Sequence, residues 1–109
     1  LLAMQRRPME SIACFEAVLQ HDANNPAAHA NLSIMYAQTA QPGKAIQHGT
    51  RAVELLPDSF EMRFNLGVML LSQKRTVEGI QQLRVAQKLR PDDPRPVQHI
   101  DSAEAAMRI

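Results

Sequence analysis

The chain has 109 residues, with 12 Lys and Arg against 11 Asp and Glu, four histidines and a single cysteine. A chain of this size forms one modest domain or a fragment of a longer protein, and its core is thin. Both charge signs are spread along the sequence, which argues against a nucleic-acid partner and an anionic membrane partner. A single cysteine cannot form a disulfide within the chain.

The predicted elements are all helices. Hydrophobic residues make up 45% of the chain but aromatic residues only 4%, so the apolar content is mainly Leu, Ala, Ile, Val and Met. These residues recur at helical spacing rather than in alternating runs. The longest apolar run, residues 68–71, is far too short to span a bilayer, so we expect no membrane insertion.

The amino-terminal segment begins Leu1-Leu2-Ala3-Met4 without an initiator methionine, and we expect an excised piece of a longer protein. Residues 1–25 are predicted to form a partial repeat. Within it, residues 1–5 fit the remainder of a helix whose start is missing, and residues 11–25 fit the second half of a helical hairpin. Leu1, Leu2 and Met4 would then leave apolar surface at a raw edge. The sequence does not identify a compartment, although the cytoplasm is slightly favoured.

Residues 26–59 contain two helical stripes. Leu32 and Tyr36 mark the first stripe. Gln41-Pro42-Gly43 is a turn signal that ends one helix and permits the next. Pro57 cannot continue a helix, and Asp58 or Ser59 can cap the following one. The second stripe recurs at steps of three and four residues: Ala45, Ile46, Gly49, Ala52 and Val53.

Residues 60–93 repeat residues 26–59 without a gap. Nine positions are identical, namely Asn31/Asn65, Leu32/Leu66, Met35/Met69, Ile46/Ile80, Gln47/Gln81, Ala52/Ala86, Leu55/Leu89, Pro57/Pro91 and Asp58/Asp92. The core stripe of this copy comprises Leu66, Leu70, Ile80, Leu83 and Ala86. Each repeat is therefore a helix–turn–helix of 34 residues, and such a hairpin stacks on a copy of itself because it cannot bury its apolar face alone.

Residues 94–109 begin a further copy. One narrow apolar face runs along it, formed by Val97, Ile100, Ala103 and Met107. A helix with one apolar face suits the end of a repeat array, so residues 94–109 are predicted to be a C-terminal capping helix.

The repeat resembles the tetratricopeptide repeat (TPR). The matching positions are His29, Leu32, Ser33, Tyr36, Ala45, Gly49, Ala52 and Pro57 in the first full repeat, Arg63, Leu66, Gly67, Leu70, Gly79, Leu83, Ala86 and Pro91 in the second, and Ser11, Phe15, Val18 and Ala23 in the partial one. His29 and Arg63 depart from the family in standing where a large aromatic residue is usual, Gly49 replaces an aromatic residue and Ala23 replaces the proline. The resemblance implies an all-α, right-handed superhelical solenoid of antiparallel hairpins, with residues 1–109 forming one domain.

Small residues on the two helices of each hairpin are expected to face one another. Ser33 would face Ala45, and Gly67 would face Gly79, so that the two backbones approach closely. A leucine at any of these positions would overpack the pair, at a cost of about 1–3 kcal/mol.

Catalytic chemistry is not indicated. His21, His29, His48 and His99 show no metal-ligand spacing, and Cys14 is expected to pack as a small hydrophobe. Capping explains the acidic residues near helix ends, which are Asp22, Asp92 and Asp93. We therefore expect no enzyme activity, no cofactor and no metal site.

The resemblance implies a concave groove, lined by the first helix of each hairpin, that holds a peptide or an amphipathic helix. Carried over by position, the groove residues are Ala27, Ala30, Asn31, Ile34, Ala37, Gln38, Glu61, Phe64, Asn65, Val68, Leu71, Arg95 and His99. The helix around residues 64–71 is apolar almost all round, which predicts that more repeats, a terminal segment, another subunit or a peptide covers its second face.

The expected partner is an apolar or amphipathic protein segment. Some relatives clamp a chaperone's C-terminal carboxylate, and Asn65, Arg95 and His99 fit the later clamp positions. Ala30 and Ile34 stand where the clamp needs Lys and Asn, so the clamp is incomplete. Two alternatives stay open: a scaffold that self-associates through the groove or the N-terminal edge, and the helical appendage of a larger enzyme.

Overall fold

The structure is a computed structural model that describes residues 2–108, with side chains described for residue 7 and residues 9–108. Its elements are the helices α1 (Leu2–His21), α2 (Pro26–Gln38), α3 (Pro42–Leu55), α4 (Phe60–Ser72), α5 (Thr76–Leu89) and α6 (Arg95–Met107). No strand occurs among these residues, which confirms the expected all-α class. None of the helices described is long and apolar enough to cross a membrane.

Two compact units divide the chain, one ending at Leu56 and the other beginning at Pro57. The N-terminal unit contains α1, α2 and α3, and the C-terminal unit contains α4, α5 and α6. The 34-residue repeats expected from the sequence correspond to the hairpins α2–α3 and α4–α5. That all 109 residues act as one domain stays a prediction.

In the N-terminal unit, α2 packs against both α1 and α3. Leu32 is wholly buried at the centre of the hairpin, and Ile46 is only half-buried at its margin. The other buried members of the predicted stripes are Tyr36, Ala45, Gly49, Ala52 and Val53. These residues recur at steps of three and four along each helix. Burial of one face of each helix therefore explains the spacing of the apolar residues in the sequence.

The first helix differs from the expectation. A separate helix was expected to end near residue 5, but α1 runs unbroken from Leu2 to His21. Pro8 stands 34 positions before Pro42, but Met9 replaces the glycine of the turn signal Gln41-Pro42-Gly43, and helix α1 continues through this stretch without a turn. The predicted apolar edge lies outside the described residues, because the side chains of Leu1, Leu2 and Met4 are not among them.

In the C-terminal unit, α6 closes the hairpin α4–α5 by packing on both of its helices. Ile100 of α6 joins Ile80 and Leu83 in a buried cluster. The partly buried side chains packed against this cluster are Phe64, Val68, Leu71 and Ala103. Helix α6 therefore covers part of the second apolar face of α4, for which the sequence predicted a cover.

The two hairpin turns share one geometry. Ala40 (φ 57°) and Lys74 (φ 62°), which are 34 residues apart, both adopt the left-handed conformation. The next amide in each turn reaches back to the last helical turn, from Gln41 N to Tyr36 O and from Arg75 N to Leu70 O, both at 2.9 Å. This pattern satisfies carbonyls that the helix end would leave unpaired.

Side-chain caps mark the starts of α2 and α4. Asn25 Oδ1 accepts a hydrogen bond from Ala28 N at 3.0 Å, and Ser59 Oγ accepts one from Met62 N at 3.4 Å. Ser59 is thus the residue of the predicted pair that caps α4. At the last helix, Asp93 Oδ1 accepts from Arg95 N at 3.0 Å, in line with the capping role expected for that carboxylate.

The small residues face one another as predicted. A methyl group built on Gly67 would lie 3.1 Å from Gly79 O and 2.7 Å from Leu83 Cγ, which is closer than carbon atoms normally approach. In the other hairpin, Ser33 Oγ donates a hydrogen bond to Ala45 O at 2.6 Å. Close backbone approach is therefore the physical reason for the small residues at these positions.

Candidate functional site

The predicted groove residues fall on two surfaces, one in each compact unit. The α2 surface of the N-terminal unit comprises Ala27, Ala30, Asn31, Ile34, Ala37 and Gln38. Ala30 and Ile34 are half-buried, and Asn31 Nδ2 donates to Ala27 O at 2.9 Å. Helical spacing therefore places Ala30 and Ile34 in a shallow apolar strip beside the Asn31 amide. This strip lies away from the buried Leu32.

The second surface lies on α4 and α6 of the C-terminal unit, and we call it the α4–α6 surface. It comprises Glu61, Phe64, Asn65, Val68, Leu71, Arg95 and His99. Phe64 is its centre: the His99 ring meets it edge-on with centroids 5.5 Å apart, and the Arg95 guanidinium lies 4.7 Å from its centroid. The structure thus brings together three residues that are up to 35 positions apart in the sequence.

Arg95 on this surface already has partners. Its Nη2 lies 2.9 Å from Asp93 Oδ2 and 3.5 Å from Glu61 Oε1, and its guanidinium also lies over Phe60. Hydrogen bonds from Arg95 lower the pKa of the Asp93 carboxyl, and the same bonds raise the pKa of Arg95. A guanidinium held by two carboxylates is poorly placed to clamp a third, which agrees with the incomplete clamp seen in the sequence.

An open cleft of ≈ 520 Å³ lies between the end of α4, the following turn and α6. Its lining residues are Leu71, Lys74, Thr76, His99, Ser102, Ala103, Ala106 and Met107. Only Leu71 and His99 belong to the predicted groove. Ala103 and Met107 were predicted to form the apolar face of α6, and Met107 remains 58% exposed at the cleft. Lys74 lies in the turn before α5 and Thr76 is the first residue of α5, so no apolar helical period could assign them to this cleft.

A histidine pair in the N-terminal unit was not predicted. His29 Nδ1 and His48 Nδ1 are 3.0 Å apart, and His29 Nε2 lies 2.9 Å from Ala23 O. The two histidines sit on different helices, 19 residues apart, so spacing along one helix could not reveal them. The part of the chain described contains no group of three or more His, Cys, Asp or Glu residues arranged to hold a metal ion.

Cys14 corrects a further expectation, because it is exposed rather than packed. Among the described elements, α1 makes its main contact with α2, and the face that carries Cys14 stays uncovered.

Comparisons with known proteins were made for sequence and for structure. A family model described as tetratricopeptide repeat matches residues 1–60 and 50–94. No curated protein matches the chain. Solved structures with similar folds include the first TPR of Spaghetti (RPAP3) bound to an HSP90 peptide, with 17% identity and a TM-score of 0.90. The Yersinia enterocolitica type III secretion translocator chaperone SycD has 15% identity and a TM-score of 0.87.

A third similar structure is an O-GlcNAc transferase mutant from Thermobaculum terrenum, with 29% identity and a TM-score of 0.79. The matches cover 97%, 98% and 88% of this chain for Spaghetti, SycD and the transferase. They cover 84%, 79% and 18% of those proteins in the same order. This chain therefore spans most of the first two chains but less than a fifth of the transferase.

Proposed function

This chain belongs to the tetratricopeptide repeat family, and we propose that it is a non-catalytic protein-interaction module that binds an amphipathic helix or peptide. The observation that carries the proposal is the cleft between α4 and α6, because an open apolar surface of this kind is typical of a helix-binding groove. The HSP90 peptide in the Spaghetti structure supports a partner of the same general kind for this fold.

The residues that line the cleft support one kind of partner. Leu71, Ala103 and Met107 offer apolar contact to a row of leucine-like side chains. Lys74 stands at the same cleft and makes no ion pair with a described residue, so an acidic side chain on the partner would complement it. The partner that fits is an amphipathic helix with a carboxylate beside its apolar face.

The test uses a panel of fluorescently labelled amphipathic peptides that carry an apolar stripe and one flanking Glu, each paired with a scrambled peptide of the same composition. We expect at least one peptide to bind better than its scrambled version, as measured by fluorescence anisotropy. Met107→Asp should weaken that binding about tenfold or more, because it places a charge where the apolar stripe would lie. The folded state should survive, since Met107 is 58% exposed.

Val77→Asp is the matched control. Val77 is 62% exposed and does not line the cleft, so this variant should bind as the natural sequence does. The proposal fails if no peptide exceeds its scrambled version, or if the peptides that bind do so equally well to the Met107→Asp variant. If both variants lost binding equally, the peptide would bind elsewhere and the cleft would not be the binding site.

The α2 surface offers a second contact area in the same proposal. Ala30 and Ile34 supply a shallow apolar strip on the N-terminal unit, and Asn31 and Gln38 flank it with amide groups. A peptide that binds this strip by itself should bind more weakly to the Ile34→Lys variant. Unchanged binding would confine the interaction to the C-terminal unit.

Self-association is a competing outcome that the same cleft allows, since a second copy could supply the amphipathic helix. Size-exclusion chromatography with light scattering, over a wide range of protein concentration, separates the two. A constant mass of one chain leaves the cleft free for another protein. A mass that rises with concentration, and does so less in the Met107→Asp variant, makes the chain its own partner.

A second candidate function is that of a helical appendage of a larger enzyme. The observation in its favour is the 29% identity with the O-GlcNAc transferase, in which the matched segment is 18% of the chain. Sequencing of the whole gene decides it, because flanking sequence with only further repeats would exclude a catalytic domain.

A further inference from the structure

The pair His29–His48 joins the two helices of the N-terminal hairpin. His29 is on α2 and only 8% exposed, and His48 is on α3 and half-buried. Their Nδ1 atoms are 3.0 Å apart, which is hydrogen-bond distance. The other ring nitrogen of His29 lies 2.9 Å from Ala23 O, in the turn before α2.

The C-terminal hairpin makes the same two contacts with different residues. Arg63 and Gln82 stand 34 positions after His29 and His48, and Arg63 Nη1 donates to Gln82 Oε1 at 2.9 Å. Arg63 Nε donates to Pro57 O at 2.9 Å, and Pro57 is the counterpart of Ala23. One place in the repeat therefore holds imidazoles in one hairpin, and in the other a guanidinium and an amide that do not titrate near neutral pH.

The contacts of His29 set the protonation of the pair. A backbone carbonyl only accepts, so His29 Nε2 carries a hydrogen and donates it to Ala23 O. In the neutral ring, His29 Nδ1 is then an acceptor, and His48 Nδ1 must be the donor across the 3.0 Å contact. Two fully protonated rings would point N–H groups at each other across that distance, so the contact cannot persist when both rings are protonated.

The surrounding groups act on His48 from every neighbouring helix. Glu16 on α1 favours its protonated form, while His29 on α2 and Lys44 on its own helix oppose it. Burial opposes protonation most, and the pKa of His48 is lowered. The Tyr36 ring stacks on the His48 ring with centroids 5.5 Å apart.

We propose that His29–His48 is a pH-sensitive latch that holds α2 to α3 at neutral pH and loosens as the pH falls toward about 5. Protonation of both rings breaks the Nδ1–Nδ1 contact of the folded pair, and the unfolded chain has no such contact to lose. Acid therefore favours opening of this hairpin by up to about tenfold in the opening equilibrium for each pH unit. The sign follows from the contacts: stability is fully present above the ordinary histidine range and is lost below it. The Arg63–Gln82 pair keeps the hairpin α4–α5 insensitive over the same range.

The test is amide hydrogen exchange of the whole chain, resolved by helix and expressed as protection factors between about pH 7 and pH 5. Protection of α2 and α3 should fall several-fold to tenfold per pH unit, while protection of α4 and α5 stays level. The double variant H29R/H48Q carries the residue pair of the other hairpin, so protection of α2 and α3 should also become independent of pH. The reverse variant R63H/Q82H should transfer the pH response to α4 and α5.

Nitrogen-15 NMR of the natural chain is an independent check, because it needs no substitution. At neutral pH it should find the hydrogen on Nε2 in His29 and on Nδ1 in His48. The opposite tautomers, or two rings that take up their second protons independently, would overturn the proposal. So would an acid loss of protection in α2 and α3 that is equally large in H29R/H48Q.

Discussion

The close approach of α4 and α5 gives the sharpest prediction about stability. Gly79→Ala adds one methyl group at the point where the two backbones meet. That Cβ would lie 2.9 Å from Gly67 O and 2.9 Å from Leu71 Cδ2. The Leu71 methyl belongs to a side chain that can turn away, but the carbonyl oxygen moves only if α4 moves. Such overpacking costs about 1–3 kcal/mol.

A second effect of the substitution has the opposite sign and must be separated from the first. Alanine favours a helix interior over glycine by about 0.5–1 kcal/mol. Gly43→Ala isolates this term, because a Cβ on Gly43, in the first turn of α3, would meet no atom within 4 Å. We expect Gly43→Ala to be neutral or stabilising, and Gly79→Ala to lower the free energy of unfolding by up to about 2 kcal/mol.

The assay is urea denaturation followed by far-ultraviolet circular dichroism, with the change from the natural chain measured for each variant. The difference between the two variants gives the cost of the contact, about 1–3 kcal/mol. A Gly79→Ala variant that is as stable as Gly43→Ala would refute the reasoning, since α4 and α5 would then have room for a side chain at their crossing.

Two further predictions concern the N-terminal unit. The Tyr36 hydroxyl donates to the Glu16 carboxylate, and this bond, with burial and the negative charge, raises the pKa of Tyr36 to about 12. Its contribution to stability should be complete below about pH 10 and lost as the pH rises toward 12. Tyr36 is the only tyrosine in the sequence, so phenolate absorbance measures its titration alone. Glu16→Gln should lower the pH at the midpoint of this titration. A midpoint near pH 10 in the folded natural chain would contradict the contact. Ala40→Gly should stabilise the chain by up to about 1 kcal/mol, because Ala40 has a φ of 57°. The matched change Ala37→Gly, within helix α2, should instead destabilise it by about as much in thermal unfolding.

The repeat period was sufficient to predict the hairpins. Residues 34 positions apart occupy equivalent places, as the left-handed residues Ala40 and Lys74 show. The facing pairs Ser33–Ala45 and Gly67–Gly79 are equivalent in the same way. The continuous helix α1 could not be predicted in the same way, because only part of a repeat precedes residue 26 and its missing half cannot be compared with a complete copy. The exposure of Cys14 has the same cause, since its neighbours in space depend on what packs against α1.

The candidate cleft was predictable only in part, because Leu71 and His99 alone among its lining residues belong to the predicted groove. The apolar faces of α4 and α6 follow from helical spacing, and the structure places Phe64 against both His99 and Arg95. The sequence also required a cover for α4 but could not choose among four sources. The His29–His48 pair was out of reach, because its two members belong to separate helices and hydrogen bonding between them depends on the packing of those helices.

The division into two compact units has a consequence for the order in which the chain folds during synthesis. The packing of α1 on α2 and of α2 on α3 involves only helices that end before Leu56. A ribosome releases these three helices before α4 emerges, so the contacts among them can form while the C-terminal half is still being translated. Contacts between helices that are neighbours in sequence close short loops and form fast, in roughly microseconds to milliseconds. Synthesis and folding can therefore proceed in the same direction along this chain.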